Sequence, residues 1–150
     1  MGEFGSIDEV LEYAIDREIE ANQLYMDLAK RVGNAAMRKV FKDFAKEELG
    51  HKAKLEAMKK NKVITPAEKV TDLKIADFTV DVEPGPNMDY KDVLILAMKK
   101  EKASFHLYTD LANEVENKSQ REMFLRLAQE EAGHKLRFEI EYDNVVLKED

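Results

Sequence analysis

Residues 41–56, FKDFAKEELGHKAKLE, and residues 124–139, FLRLAQEEAGHKLRFE, align without a gap and agree at eight of sixteen positions. Chance pairing would give about one, so the chain carries an internal repeat at an offset of 83. Residues 14–29 and 97–112 match at the same offset, with seven identities in sixteen. In all four stretches the apolar residues recur at alternating steps of three and four, the signature of one buried helix face. The repeat therefore predicts a duplicated pair of helices.

Working outward sets the limits of those helices. The first starts near Ile7, with Ser6 as N-cap and Glu9 completing a capping box, and its stripe runs through Leu11, Ala14, Glu18, Asn22, Tyr25, Leu28 and Val32. Gly33-Asn34 ends it, with the glycine as a C′ residue. The second spans about 35–60 with the stripe Met37, Phe41, Phe44, Glu48, His51, Leu55 and Met58. The third spans about 90–115 and carries Leu94, Ala97, Glu101, Phe105, Tyr108 and Leu111 inward. The fourth starts after Lys118-Ser119, places Phe124, Leu127, Glu131, His134 and Phe138 on its stripe, and ends around Tyr142. Short loops inside each pair make antiparallel helical hairpins. Residues 61–89 form a long crossover that holds all three prolines and an apolar segment (Leu73, Ile75, Phe78, Val80) expected to pack on the helices. The expected fold class is all-α: an antiparallel four-helix bundle of two duplicated hairpins joined by a long crossover, the ferritin-like variant.

Composition agrees and excludes other classes. At 150 residues the chain is the size of a single domain, 1–150, and its 37% charged and 44% hydrophobic residues with only six glycines and three prolines suit helices. Without cysteine there is no disulfide, thiolate zinc site, cysteine-ligated iron–sulfur centre or c-type haem attachment. A net charge of −7 argues against nucleic acid as a partner. No apolar run approaches the ~20 residues of a membrane span and no signal peptide is evident, so no membrane partner and a cytoplasmic location are expected. Residues 1–6 read as an expression remnant.

The repeat also preserves residues that an ordinary core rejects. Glu18 and Glu101 interrupt two apolar stripes, and Glu48/His51 and Glu131/His134 interrupt the other two. A buried carboxylate needs a partner or a metal. Counting from turns near Gly33 and Glu116, each of the four glutamates lies fifteen residues from its turn, which places them level at mid-bundle. The apolar series selects Glu48 over Glu47 and Glu131 over Glu130 as inward-facing. A lone Glu-x-x-His motif reads as a solvated helix face. Two copies at the repeat offset, each on an apolar stripe and level with a further glutamate, read as a carboxylate-bridged dimetal site. Glu18, Glu48, His51, Glu101, Glu131 and His134 are its predicted ligands, and four carboxylates balance the charge of two divalent cations. Tyr25 and Tyr108, seven residues after Glu18 and Glu101, read as hydroxyls bonded to ligand carboxylates across the bundle, against the plainer reading of core tyrosines. His106 reads as a surface histidine and the seven methionines as core filler.

These residues give the chain a resemblance to the rubrerythrin family of ferritin-like di-iron carboxylate proteins. It is carried by Glu18…Tyr25, Glu48-Leu49-Gly50-His51, Glu101…Tyr108 and Glu131-Ala132-Gly133-His134, together with residues 70–77 before the third helix. The resemblance implies a di-iron centre, with manganese, mixed Fe/Mn or Fe/Zn as alternatives. Glu48 and Glu131 would bridge the metals, with Glu18 and His51 completing one end and Glu101 and His134 the other. It implies a non-haem oxidoreductase that reduces hydrogen peroxide to water in oxidative-stress defence, and a homodimer in which helices could be exchanged. Family members that carry a rubredoxin domain bind an iron through four cysteines; this sequence has none, so the electrons are expected from an external donor such as rubredoxin. The family also places an extra carboxylate on the third helix where this chain has Ser104. Alternatives are a ferroxidase or oxidase using dioxygen, and a non-catalytic metal-buffering or structural bundle.

Overall fold

The computed structural model describes residues 7–61, 85 and 87–149. They form four helices: α1 (Ile7–Arg31), α2 (Ala35–Asn61), α3 (Tyr90–Glu114) and α4 (Lys118–Glu149). There is no strand among the described residues. The expected capping box at Ser6, the remnant at 1–6 and the apolar segment at 73–80 lie outside them.

Each hairpin turn is three residues long, and an asparagine, not a glycine, organises it. The side-chain oxygen of Asn34 accepts from the backbone N–H of Ala36 and Met37, capping α2. Asn117 does the same for α4 through Gln120, and Asp89 for α3 through Asp92. Gly33 does not adopt the left-handed conformation expected of a C′ glycine; Val32 N–H reaches Leu28 O without it. The start of α4 falls at Lys118, two residues before the expected point, because Asn117 supplies the cap. Its end lies seven residues past Tyr142. No glycine or proline follows Gly133 to stop it, and Tyr142 and Val145 find apolar partners on the core.

All adjacent helices run antiparallel. Within the first hairpin, Asn22 Nδ2 donates to Ala45 O at 2.8 Å and Lys59 pairs with Glu12 at 2.5 Å. Between hairpins, Tyr108 of α3 meets Glu18 of α1, and His51 of α2 meets Glu131 of α4. α3 therefore begins beside the α1–α2 turn, where Met88 and Tyr90 share a cavity with Val32 and Gly33, whereas α2 ends at the opposite end. Residues between α2 and α3 thus connect opposite ends of the bundle. No described helix is long and apolar enough to cross a membrane.

The core falls into two apolar halves. One gathers Leu11, Leu55, Met58, Leu111, Phe124 and Leu127; the other gathers Tyr25, Leu28, Met37, Phe41, Leu94 and Phe138. In the second half the rings of Tyr25, Phe41 and Phe138 lie 5.2–5.9 Å apart, within the range of favourable aromatic packing. The polar centre lies between the two halves at mid-bundle.

Candidate metal centre

All six candidate ligands are buried, none more than 4% exposed, and each helix contributes from its middle. α1 brings Glu18 and α3 brings Glu101; α2 brings Glu48 with His51 one turn on, and α4 brings Glu131 with His134. Their ligand atoms fall into two groups, each gathered within 4.8 Å: Glu18, Glu48, His51 and Glu131, and Glu48, Glu101, Glu131 and His134. Glu48 and Glu131 belong to both. The groups are related by the sequence repeat, so the duplication has produced two half-sites sharing a pair of carboxylates.

The atoms converge without satisfying one another. His51 Nδ1 lies 3.0 Å from Glu48, 3.3 Å from Glu131 and 3.5 Å from Glu18. Even so, both nitrogens of His51, Glu18 Oε2, Glu48 Oε1, Glu101 Oε2 and both oxygens of Glu131 have no hydrogen-bond partner among the described residues. Buried polar atoms left in that condition are costly. Four carboxylates and two imidazoles aimed at a shared space are the donor set for two divalent ions of the iron or manganese type, so the residues present fit a dimetal centre.

Electrostatics give the same picture from another side. Burial, then the charge of Glu131, pushes the Glu18 carboxyl up to about 7 and that of Glu101 up to about 8. Burial and its three carboxylate neighbours push Glu48 well above the usual range. Glu131 is the exception: burial would raise it, but the close approach of His51 and Glu48 and the two imidazolium charges outweigh that and hold it low. Burial would likewise depress the histidines, but their carboxylate partners win. Glu131 and Glu18 raise His51 to about 10, and Glu101 raises His134 to about 9. Without metal, the cluster keeps itself near neutrality by holding protons.

Further contacts fix the ligands. Tyr25 of α1 donates its hydroxyl to Glu101 of α3, and Tyr108 of α3 donates to Glu18 of α1 at 2.5 Å. The two tyrosines thus cross between hairpins in opposite directions. Two residues that the period argument set aside also reach the centre. Glu47 Oε1 hydrogen-bonds Nε2 of His134 at 3.3 Å, and Glu130 Oε2 approaches Nε2 of His51 at 3.5 Å without a hydrogen bond. Each imidazole therefore points Nδ1 inward and Nε2 at a half-exposed carboxylate from the facing helix. That arrangement fixes ring orientation in metal–histidine–carboxylate sites. The available signal was the repeat, which preserves Glu47 as Glu130. Phe44 stacks on His134 with ring centroids 3.8 Å apart. His106 is exposed and takes no part in the cluster.

Comparison with known proteins gives concordant results. The family model described as Rubrerythrin matches residues 9–142. A candidate ferritin-like diiron-carboxylate protein from Thermotoga maritima superposes with a TM-score of 0.79 at 20% identity, covering 92% of this chain and 94% of that one. A hypothetical protein from Pyrococcus furiosus superposes with a TM-score of 0.74 at 27% identity, covering 94% and 90% respectively. No curated protein matches the sequence.

Proposed function

The chain belongs to the rubrerythrin family, and on that footing we propose that it is a non-haem di-iron oxidoreductase that reduces hydrogen peroxide to water. The observation that carries the reading is the pair of Glu/His groups sharing Glu48 and Glu131, buried at mid-bundle with several of their inward atoms unpaired. In this reading Glu18, Glu48, His51 and Glu131 would hold one ion and Glu48, Glu101, Glu131 and His134 the other, so that Glu48 and Glu131 would serve both. Two ferrous ions held by these residues would supply the two electrons that, with two protons, reduce one hydrogen peroxide to two waters. The protein's own part is to hold the carboxylates through Tyr25 and Tyr108, to aim the imidazoles through Glu47 and Glu130, and to keep bulk water out with the apolar halves on either side. These 150 residues contain no cysteine to bind an electron-transfer iron. The two electrons would be returned by a donor centre outside these residues, such as that of a rubredoxin.

A second reading, oxidation by dioxygen, draws on Ser104. A serine there leaves the centre with six protein ligands and no further carboxylate from α3. Single-turnover reoxidation of anaerobically loaded ferrous protein separates the two. Peroxide should react much faster than dioxygen at equal concentration; comparable rates would move the assignment to an oxidase.

A further inference from the structure

The two sides of the centre are built differently. On the α2–α4 side the rings of His51 and His134 stand in the way, Phe44 lies flat on His134, and Glu47 and Glu130 lie against the outer nitrogens. On the α1–α3 side a cavity of about 40 Å³ runs from Arg17, Glu20 and Lys100 inward to Glu48 and Glu101. One water needs roughly 10–15 Å³ by this measure, so the space takes a molecule of about three heavy atoms and no bulky group. Its inner end is polar and unsatisfied. Glu48 Oε1 and Glu101 Oε2, on side chains 1% exposed, have no partner among the described residues.

The repeat explains why the space exists. Ala21 and Ser104 occupy equivalent positions on α1 and α3, and both line the cavity with Ala103. Small side chains on both walls, at the level of the ligand carboxylates, leave a gap that any branched residue would fill. The gap is not shared evenly by the half-sites. Tyr25, Glu48 and Glu101 border it, whereas their counterparts Tyr108, Glu131 and Glu18 do not.

Building on the dimetal reading above, we propose that this cavity is the binding pocket for the oxidant. It delivers a small molecule to the Glu48–Glu101–His134 end of the centre, and its size admits hydrogen peroxide or dioxygen but excludes organic hydroperoxides. A cumyl group, with nine carbons, has no room between Ala21 and Ser104 unless α1 and α3 separate.

The test uses azide, a small anion, as a probe of the pocket in protein loaded with cobalt(II), whose visible absorption reports both metal binding and added ligands. Ser104→Leu and Ala21→Leu should each retain two cobalt ions at unchanged affinity while weakening azide binding at least tenfold; the two variants fill the pocket from opposite walls, so one can stand in if the other does not fold. In ferrous wild-type protein, hydrogen peroxide should react at least a hundredfold faster than cumene hydroperoxide. Wild-type azide affinity in both variants, no azide binding to the wild type, or equal rates with the two peroxides would overturn the proposal. Because the azide measurement involves no redox chemistry, weakened binding in the variants beside equal peroxide and dioxygen rates would remove the peroxidase reading and leave the pocket standing.

Discussion

Filling the centre with two divalent ions near pH 7 should expel about four protons. In the metal-free protein His51, raised to about 10, and His134, raised to about 9, both carry their second proton at that pH. Glu48 is held well above the usual carboxyl range and Glu101 at about 8, so both are largely protonated; Glu18, at about 7, is half so, and Glu131 is ionised. Every one of these groups must shed its proton to become a ligand. Four positive charges arriving as metal thus replace about four leaving as protons, and the buried cluster keeps nearly the same net charge. Such an exchange would let four glutamates share one interior. It also fixes the sign and steepness of the pH dependence. Loading should become less favourable as pH falls, by about 5 kcal/mol per pH unit for the pair of ions near neutrality. Calorimetric titration with cobalt(II) in two buffers of different ionisation enthalpy measures the proton count directly. A release of about one proton or fewer would mean that the metal-free carboxylates stay ionised side by side, which would refute proton sharing within the cluster.

Metal-free protein should lose stability as pH rises. Glu18 and Glu101 bind protons more tightly folded than unfolded, so their contribution is full below about 4.5 and gone above about 7 and about 8; the histidines extend the decline from about 6.5 to about 9 and about 10. The melting-temperature gap between loaded and stripped protein should therefore widen from pH 5.5 to 8.5, and a gap that narrows would contradict the linkage. Glu101→Ala should reduce metal content from two ions per chain to one by emptying one end, as counted by elemental analysis. Tyr108→Phe should keep both ions, because its hydroxyl touches a ligand and not the metal. Glu47→Ala and Glu130→Ala should each weaken cobalt binding roughly tenfold or more, with partial recovery in the Gln variants, which keep an acceptor for the imidazole N–H. Equal losses in Ala and Gln would assign the effect to charge alone.

What the sequence made legible follows from which interactions are periodic. Helix stripes repeat every 3.6 residues, so the inward positions of Leu11, Phe41, Leu94 and Phe124 can be read from one strand of text, and each of them is fully buried. The level of the glutamates was legible for a related reason. A three-residue turn pins the register of an antiparallel pair, and equal counts on either side of it become equal heights. The limits of α4 were less legible because they depend on particular contacts: an asparagine side chain at one end, and at the other the apolar surface that Tyr142 and Val145 find on the core.

Glu47 and Glu130 mark a different boundary. A stripe separates residues that face the core from those that face away, and both glutamates lie just off it, about half exposed. Whether a side chain at that angle reaches a ring on the next helix depends on how closely α2 and α4 approach, a distance no single-helix pattern contains. Glutamates alone on a helix surface are commonplace. Glutamates kept at the same place in both halves of a duplicated hairpin, where even Leu49 has become Ala132 and Met37 has become Gln120, are not. Drift of that kind removes identities that nothing holds in place. Glu47 and Glu130 each face the outer nitrogen of a histidine from the opposite hairpin, as a hydrogen bond in the first half-site and a longer approach in the second. The reciprocal pairing also ties α2 to α4 at the level of the centre, as the crossed tyrosines tie α1 to α3. The duplication therefore accounts for more than a doubled set of candidate ligands: each hairpin supplies groups that touch the other's candidate ligands, so neither half of the repeat builds its half-site by itself.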